Sequence, residues 1–403
     1  MSSDHSLFKV SKKNFNKTIQ VPSSKSYANR LLILAAISRE DVCVENLPLS
    51  SDVTAMITCL RKVGLGIELE GSNVWVRGSF PECEAPGPHI LETGDGGTTN
   101  RFLCSLLAKG RQKYILRAKG HMLERPMTPL LDALISLGVG TTYKEKDEWI
   151  TIQGPMNEAT SVEVDATETT QFITSLALAL ADSKTVIKPL NLNISLPYWR
   201  LTQNLIEKYQ KSELRFYNPV DFSSLTYPLA LAAVTGSVTI SNCFETDENQ
   251  ADSVFINLLK RVGASIEWSN KGLKLEKGSL RPIDFDGSQC PDAIPTLLFV
   301  CSFCNGTSRI KNLEVLTHKE CDRFVEMIRM LDSFGVDIKV DYENFEITIN
   351  GPVSLKSSVD FVPPKDHRMV MVAYLFQRSL SGGTLSNSDH VSKSFANFFE
   401  VMD

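Results

Sequence analysis

The apolar residues of this chain follow one pattern that occurs several times. An apolar run with helical spacing ends at a glycine, and alternating apolar and polar residues then lead to a second glycine. The first glycines of the four copies are Gly64, Gly138, Gly263 and Gly335. Glycine is favoured just after a helix because it adopts positive φ without steric cost. Each copy therefore predicts a helix followed by strand structure.

A second pattern marks the start of each repeat. Short clusters of Ser, Thr, Gly or Asp run directly into apolar segments, as at a capped helix N-terminus. The clusters are represented by Ser24, Thr98, Thr169, Ser223, Asp292 and Asp366. These markers lie roughly seventy residues apart, with a shorter interval after Thr169, and they predict six α/β repeats of which the third is shortened.

The sixth repeat reaches the end of the sequence at Asp403 without its last strand. A strand is predicted near the other end of the chain, at residues 7–10. We expect this N-terminal strand to complete the sixth repeat. The two chain ends should then lie close together.

Composition and charge argue against several classes of protein. The 403 residues are 42% hydrophobic and 22% charged, which is typical of a globular protein and not of a disordered or collagen-like chain. The net charge of −5 argues against a nucleic-acid partner. No apolar stretch approaches the roughly 18 residues that a membrane-spanning helix needs. The N-terminus does not have the pattern of a leader peptide, so we expect a cytoplasmic protein that binds no membrane.

The cysteines do not indicate a disulfide framework. There are nine, scattered along the sequence, and reduced thiols of a cytosolic protein fit this number better. Cys301 and Cys304 form a C-x-x-C pair, with His318 and Cys321 downstream, which has the spacing of a zinc site. The pair lies inside an apolar run, where cysteine is commonly a core residue. We therefore expect no metal and no cofactor.

Basic residues lie beside the predicted helix starts. They are Lys25, Arg30, Arg101, His367 and Arg368, with further basic groups around Arg125, Lys319 and Arg323. A helix N-terminus offers free N–H groups, and arginine adds bidentate donors, so both favour anions. A single arginine of this kind is usually a solvated surface charge, and each cluster alone is only a cap. Their recurrence at the repeat boundaries indicates a site for an anionic ligand.

Nine short motifs point to a known family. They are Val21-Pro-Ser-Ser-Lys-Ser, Gly94-Asp-Gly-Gly-Thr-Thr-Asn-Arg, Glu124-Arg-Pro, Thr169-Thr-Gln-Phe, Ser195-Leu-Pro-Tyr, Pro291-Asp-Ala, Lys319-Glu-Cys-Asp-Arg, Asp366-His-Arg-Met and Ser392-Lys-Ser-Phe. Each is short, but together, in this order and spacing, they cover nearly the whole chain. In this the sequence resembles the EPSP synthases, the 3-phosphoshikimate 1-carboxyvinyltransferases.

The resemblance implies an α/β fold of the enolpyruvyl transferase type. In that family two inside-out, barrel-like domains are each built from three repeated α/β units, and the active site lies in the cleft between them. By this resemblance residues 23–219 form the first domain. Residues 1–22 and 220–403 form the second domain, which the N-terminal strand completes. The six repeats seen in the sequence agree with this organisation.

The resemblance also implies the reaction and its residues. The enolpyruvyl group of phosphoenolpyruvate passes to the 5-hydroxyl of shikimate 3-phosphate, and we expect a monomer to catalyse this transfer. Phosphoenolpyruvate is assigned to Lys25, Gly97, Arg125, Gln171, Arg323, Arg368 and Lys393. Shikimate 3-phosphate is assigned to Lys25, Ser26, Arg30, Thr169, Thr170, Gln171, Ser195, Tyr198, Asp292 and Lys319. Addition and elimination both move protons; the candidates are Glu320 at the methylene carbon, and Asp292 with Lys25 at the hydroxyl.

Three other functions remain open. UDP-N-acetylglucosamine enolpyruvyl transferases share the fold, but they typically carry Lys-Asn where Lys25-Ser26 stand, and a loop cysteine where this chain has none. RNA 3'-phosphate cyclases share the repeat, but the net charge and the motifs argue against them. A non-catalytic relative is permitted by departures from the family pattern. These departures are Asp95, the threonines at Thr169 and Thr170, Arg200 and Val315.

Overall fold

The structure, a computed structural model, describes residues 7–145 and 148–403. The chain forms two compact units. The first unit is Ser23–Pro219, and the second joins the described residues up to Pro22 to Val220–Asp403. Where the chain enters and leaves each unit, its two segments are hydrogen-bonded: Ser24 N donates to Pro219 O over 2.7 Å in the first unit, and Asp221 N donates to Pro22 O over 2.9 Å in the second.

Two short strands, β1 (Phe8–Val10) and β2 (Asn16–Ile19), precede the first unit and belong to the second. The first unit then contains α1 (Lys25–Ile37), β3 (Val42–Glu45), α2 (Ser51–Lys62), β4 (Gly66–Glu70), β5 (Asn73–Arg77), β6 (His89–Gly94), α3 (Gly97–Leu107), β7 (Lys113–Ala118), a 3₁₀ turn (Gly120–Leu123), α4 (Thr128–Ser136), β8 (Gly140–Glu145), β9 (Glu148–Gln153), β10 (Ser161–Asp165), α5 (Gln171–Ala179), β11 (Val186–Leu190), α6 (Leu196–Gln210) and β12 (Arg215–Tyr217).

The sheets of the first unit follow the repeats. The first two repeats form four-stranded sheets of order β12-β3-β5-β4 and β6-β7-β9-β8, each with an antiparallel hairpin. Among the described strands, the third repeat forms a sheet of its own from the parallel pair β10-β11, without a hairpin. The predicted shortening of the third repeat is therefore confirmed. Its last strand, β12, pairs in parallel with β3 and so completes the sheet of the first repeat.

The second unit continues with α7 (Phe222–Thr235), β13 (Ser237–Ile240), a 3₁₀ turn (Ala251–Ser253), α8 (Val254–Arg261), β14 (Ser265–Ser269), β15 (Gly272–Glu276), β16 (Asp284–Asp286), α9 (Ile294–Cys301), β17 (Gly306–Lys311), a 3₁₀ turn (Glu314–Leu316), α10 (Arg323–Ser333), β18 (Asp337–Asp341), β19 (Glu346–Gly351), α11 (His367–Ser379), β20 (Gly383–Leu385), a 3₁₀ segment (Ser388–Lys393) and α12 (Phe398–Met402). Its four-stranded sheets have the orders β14-β15-β13-β2 and β16-β17-β19-β18.

The chain ends meet in the second unit. Strand β1 pairs antiparallel with β20 of the sixth repeat, as the sequence predicted for residues 7–10. Lys13 Nζ donates to the backbone O of Asp403 over 3.1 Å, and the rings of Phe8 and Phe399 lie 4.2 Å apart. The N-terminal segment also supplies β2, which runs parallel to β13 of the fourth repeat.

In each unit the helices that follow the polar clusters form the centre. Helices α1, α3 and α5 pack on one another in the first unit, as α7, α9 and α11 do in the second. Nearly every residue of these six helices is buried. Most of these residues are apolar, but polar and charged residues such as Arg30 and Arg101 are buried among them. Side chains cap α1, α7 and α11, through Ser24, Asp221 and Asp366, whereas α3, α5 and α9 have no side-chain cap. Many of the residues that the sequence selected for anion binding lie at the N-termini of these helices.

The apolar run at 296–303 lies in and just after α9, where Cys301 and Cys304 are both buried. All nine cysteines are free thiols. Within the part of the chain that the structure describes, none of the helices has the length and apolar character to cross a membrane.

Candidate active site

The start of α1 places Lys25 beside a buried acid. Ser24 caps the helix, its side chain accepting from Tyr27 N. Lys25 Nζ lies 2.9 Å from Asp52 Oδ2 in the first turn of α2. A Cβ on Gly96 would lie 2.6 Å from Asp52 Cγ, so only glycine lets the start of α3 approach this carboxylate. The sequence analysis did not select Asp52, because an acid in a first helical turn is also the usual complement of the helix dipole.

Arg30 contacts two other residues assigned to shikimate 3-phosphate, Ser26 and Tyr198. Its Nη1 donates to the backbone O of Ser26 over 2.8 Å, and its Nη2 to the backbone O of Tyr198 over 3.3 Å. The Nε donates to Thr202 Oγ1 over 2.9 Å. Burial lowers the pKa of Arg30 to about 10. Among residues 7–145 and 148–403 no carboxylate pairs with this guanidinium, so the counter-charge of a buried cation is left to a ligand.

Gly97, Arg125 and Gln171 meet at the start of α3. A Cβ on Gly97 would lie 2.7 Å from Arg125 Nη1 and 2.9 Å from Gln171 Oε1. The Oε1 of Gln171 accepts from Arg101 Nη1 over 2.7 Å, which fixes the orientation of the amide. Arg125 is only 7% exposed, and its guanidinium has no hydrogen-bond or ionic partner within the described ranges.

The remaining predicted residues of the first unit lie at two helix starts. Thr169 Oγ1 accepts from Gln171 N over 3.2 Å. Thr170 immediately precedes α5, and Ser195 precedes α6 with a left-handed φ of 50°. Both are buried, and neither side chain caps its helix. Their hydroxyl groups are therefore not used by the helices that follow them.

A methyl group at Gly97 should weaken the binding of an anion at Arg125. In Gly97→Ala the new Cβ would meet the guanidinium of Arg125 and the amide of Gln171 closer than any ordinary contact, so both must shift. We expect a rise in the KM for the ligand held by Arg125, with the fold intact. Gly71→Ala serves as the control, because Gly71 has open space around its Cβ position, although its φ of +64° adds some local strain. Equal steady-state KM values for Gly97→Ala and the parent protein would contradict this reading.

In the second unit one arginine holds three carboxylates. Arg323 is the first residue of α10 and only 1% exposed. Its Nη1 donates to Asp292 Oδ1 over 2.8 Å, its Nη2 to Glu320 Oε2 over 2.8 Å, and its Nε to Asp366 Oδ2 over 2.7 Å. Burial alone would lower the pKa of Arg323, but Asp366, Glu320 and Asp292 raise it above its usual value. The guanidinium therefore fixes both proposed proton-transfer groups relative to each other.

Asp292 lies between two guanidinium groups. Its second oxygen, Oδ2, accepts from Arg368 Nη2 over 2.9 Å. Burial favours the neutral acid, but Arg368, Lys319 and Arg323 outweigh it and hold the pKa of Asp292 below its ordinary value. Asp292 is therefore a carboxylate that can accept a hydrogen bond from a ligand hydroxyl, as the sequence assignment requires.

Glu320 and Lys393 are also brought together. Lys393 Nζ lies 3.4 Å from Glu320 Oε1, and the side chains are 6% and 13% exposed. Asp366, which caps α11 and accepts from Arg368 N, completes the group. Asp366 was not selected from the sequence as a site residue, although it stands in the Asp-His-Arg motif.

Each predicted site residue therefore lies in one of two groups. In the first unit these are Lys25, Ser26, Arg30, Gly97, Arg125, Thr169, Thr170, Gln171, Ser195 and Tyr198. In the second unit they are Asp292, Lys319, Glu320, Arg323, Arg368 and Lys393. Within the described residues, no group of three or more His, Cys, Asp or Glu side chains has the arrangement of a metal site.

Comparison with known proteins gives one consistent result. The family model described as EPSP synthase (3-phosphoshikimate 1-carboxyvinyltransferase) matches residues 10–402. Relatives named 3-phosphoshikimate 1-carboxyvinyltransferase include one from Buchnera aphidicola, 31% identical over 95% of this chain and 93% of its own. Another, from Vibrio cholerae, is 30% identical over 95% of each chain.

Solved structures share the fold. An EPSP synthase from Acinetobacter baumannii aligns with a TM-score of 0.78 at 20% identity, over 98% of this chain and 97% of that chain. The enolpyruvyl transferase NikO from Streptomyces tendae aligns with a TM-score of 0.73 at 13% identity, over 98% and 96%. The predicted enolpyruvyl transferase fold is thereby confirmed.

Proposed function

This chain belongs to the EPSP synthase family, and from that premise we propose how its two groups of residues act. The enzyme is a transferase that moves the enolpyruvyl group of phosphoenolpyruvate to the 5-hydroxyl of shikimate 3-phosphate and releases phosphate. This reaction belongs to the shikimate pathway, which leads to chorismate and the aromatic amino acids.

The observation that carries the proposal is the pair of buried cations in the first unit. Arg30 and Arg125 are 2% and 7% exposed. Neither has an acidic partner in the part of the chain that the structure describes. Burying a cation without a counter-charge is unfavourable. Both substrates carry a phosphate and a carboxylate, which supply the missing charge even though the whole protein is acidic.

We propose that Arg125, with Lys25, Gly97 and Gln171, binds phosphoenolpyruvate. Arg323, Arg368 and Lys393 of the second unit contribute to the same substrate. Arg323 has five N–H groups, and four of its hydrogen bonds already go to carboxylates. It can therefore donate about one further bond without releasing an acid, and its main contribution is to hold the proton-transfer groups.

Shikimate 3-phosphate is proposed to bind through the residues around Arg30. Hydroxyl groups at Ser26, Thr169, Thr170 and Ser195 offer donors to its phosphate and carboxylate. Further contacts are proposed from Tyr198, Gln171, Lys25, Asp292 and Lys319.

Two acids move the protons in this mechanism. Asp292, with Lys25 assisting, accepts the proton of the 5-hydroxyl as that oxygen attacks C2 of phosphoenolpyruvate. Glu320 gives a proton to the methylene carbon, which becomes a methyl group. In the elimination, Glu320 takes a proton back from that methyl group, the bond between C2 and the phosphate oxygen breaks, and phosphate leaves. One group thus acts first as acid and then as base.

Removing the Arg125 guanidinium should mainly weaken phosphoenolpyruvate binding. A hydrogen bond to a charged group contributes about 1.5–3 kcal/mol, so Arg125→Ala should raise the KM for phosphoenolpyruvate by roughly tenfold or more. Arg117→Ala is the matched control in the same unit, because Arg117 is 46% exposed and pairs with the exposed Glu92. An unchanged KM for phosphoenolpyruvate in Arg125→Ala would remove this residue from the site.

The proposed reaction is tested by phosphate release. The protein is assayed with phosphoenolpyruvate and shikimate 3-phosphate together, and with each substrate alone. Phosphate should appear only when both are present. Replacing shikimate 3-phosphate by UDP-N-acetylglucosamine tests the related transferase, and phosphate release with that acceptor alone would reject the proposal. Saturable binding of shikimate 3-phosphate without turnover would indicate a non-catalytic relative.

Assembly and compartment are part of the same proposal. We propose a monomeric enzyme of the cytoplasm. The nine free thiols, most of them buried, support a reducing compartment. Sedimentation equilibrium tests the monomer directly, and a mass of about twice 44.8 kDa would contradict it.

A further inference from the structure

We propose that Arg101 is a positioning residue of this reaction, whose guanidinium turns the side-chain amide of Gln171 so that its N–H groups are kept for phosphoenolpyruvate. This inference rests on the proposed function, because Gln171 and Arg125 are among the residues assigned to that substrate. The sequence selected Arg101 as a basic residue beside a helix start, but neither substrate was assigned to it.

The guanidinium of Arg101 is held inside the first unit. Arg101 belongs to α3 and is 1% exposed. Its guanidinium carbon lies 4.9 Å from the centre of the Phe172 ring, and its Nη2 donates to the backbone O of Pro126 over 2.9 Å. Ser175 Oγ of α5 donates to the backbone O of Arg101. Both the backbone and the side chain of Arg101 are therefore fixed by neighbouring elements.

The contact between Arg101 and Gln171 selects one orientation of the amide. Arg101 Nη1 donates to Gln171 Oε1 over 2.7 Å. A guanidinium has five N–H donors and no acceptor, so only the oxygen of an amide can face it. The reversed amide would place N–H groups against N–H groups. The amide nitrogen of Gln171 therefore points away from Arg101.

This orientation leaves the amide nitrogen for a ligand. Among residues 7–145 and 148–403, the side-chain nitrogen of Gln171 has no hydrogen-bond partner. Gln171 is partly exposed, so a ligand can reach its side chain. An amide nitrogen carries two N–H donors, which suit the acceptor oxygens of a phosphate or a carboxylate.

Arg101 also keeps Gln171 from occupying Arg125. The position that a Cβ on Gly97 would take lies 2.7 Å from Arg125 Nη1 and 2.9 Å from Gln171 Oε1, so both side chains border the same point. Without Arg101, the amide oxygen of Gln171 could turn and accept from Arg125. An anion would then have to break that hydrogen bond before it could bind. With Arg101 in place, Arg125 and the Gln171 nitrogen both remain donors for phosphoenolpyruvate.

The first experiment is a double-mutant cycle on the KM for phosphoenolpyruvate. Arg101→Met fills similar space and removes every donor. It should raise this KM roughly three- to tenfold, as expected for about one hydrogen bond lost to the ligand, and change kcat less. In the Gln171→Ala background the same substitution should raise the KM by less than about twofold, because the amide through which Arg101 acts is gone. An equal rise in both backgrounds would show a purely structural role and overturn the inference.

Two further variants support this comparison. Arg117→Met is the matched control in the same unit, because Arg117 is 46% exposed, and it should leave the KM unchanged. If Arg101→Met does not fold by circular dichroism, Arg101→Gln takes its place in the cycle. A glutamine amide can either donate or accept, so it does not select one orientation of Gln171. Equal KM values for Arg101→Gln and the parent would contradict the inference.

The second experiment does not need turnover. Nuclear magnetic resonance of protein labelled with ¹⁵N-glutamine detects the side-chain NH₂ groups, and the pair that disappears in Gln171→Ala belongs to Gln171. In the folded Arg101 variant this pair should move toward the position of solvent-exposed glutamine amides. Signals of Gln171 that stay where they are in the parent would overturn the inference.

Failure of the inference and failure of the proposed function give different results. A parent that turns over, with the same KM rise in both Gln171 backgrounds, would overturn the role of Arg101 and leave the proposed function standing. A parent without turnover on phosphoenolpyruvate and shikimate 3-phosphate would reject the proposed function and the role of Arg101 in it. A KM rise that depends on Gln171, together with the moved NH₂ signals, supports the inference.

Discussion

Glu320→Gln should lower turnover by roughly 10²–10⁴, the usual contribution of one general acid–base group. The amide keeps the size of the side chain and can still accept from Arg323 Nη2, which lies 2.8 Å from Glu320 Oε2 in the parent. It cannot carry the proton to and from the methylene carbon. The affinity for shikimate 3-phosphate, measured by calorimetry, should change little because none of the groups assigned to that substrate is altered.

A matched control lies on α10. Glu326 pairs with the half-exposed Arg329 over 2.7 Å, and such surface pairs contribute about 0–1 kcal/mol. Glu326→Gln makes the same chemical change and should leave kcat unaltered. Circular dichroism checks that the fold of Glu320→Gln is intact. If this variant then turned over nearly as fast as the parent, the assigned mechanism would be wrong even if the overall reaction were established.

The repeats could be predicted from the sequence because their signals are local. A cap, an apolar helix, a glycine and an alternating strand each lie within a few residues of one another. The pairing of β1 with β20 was predicted as well, since the sixth repeat lacked a strand. The sequence did not predict that β12 pairs with β3 or that β2 pairs with β13. These contacts join segments about 170 and 220 residues apart, and local patterns carry no information on such distances.

The cations of the site were predictable, but most of their partners were not. Lys25, Arg125 and Arg323 stand in motifs that resemble those of a family. Asp52 was missed, because an acid in a first helical turn also has the local sequence of an ordinary dipole complement. Only the packing of α2 against α1 brings Asp52 to Lys25.

Arg323 illustrates why the group in the second unit depends on packing. It is buried, and each of its three nitrogens donates to a carboxylate. If the Arg323 guanidinium is removed, Asp292 still has its ion pair with Arg368, and Glu320 still has its ion pair with Lys393. Asp366, whose side chain is fully buried, keeps the backbone N of Arg368 and the thiol of Cys321 as hydrogen-bond donors but loses this cation. We therefore expect Arg323 to stabilise the fold as well as to serve the proposed mechanism.

Arg323→Met should therefore destabilise the protein by about 3–5 kcal/mol, the usual effect of removing one partner from a buried ionic network. Methionine fills similar space, so the loss reports the carboxylates that remain and not a cavity. Arg329→Met on the same helix is the control: Arg329 is 43% exposed and pairs with Glu326, and its loss should stay within about 0.5 kcal/mol. Urea unfolding followed by circular dichroism measures both. Equal midpoints for the two variants would mean that Arg323 does not stabilise the group, and the rigid placement of Asp292 and Glu320 would need another cause.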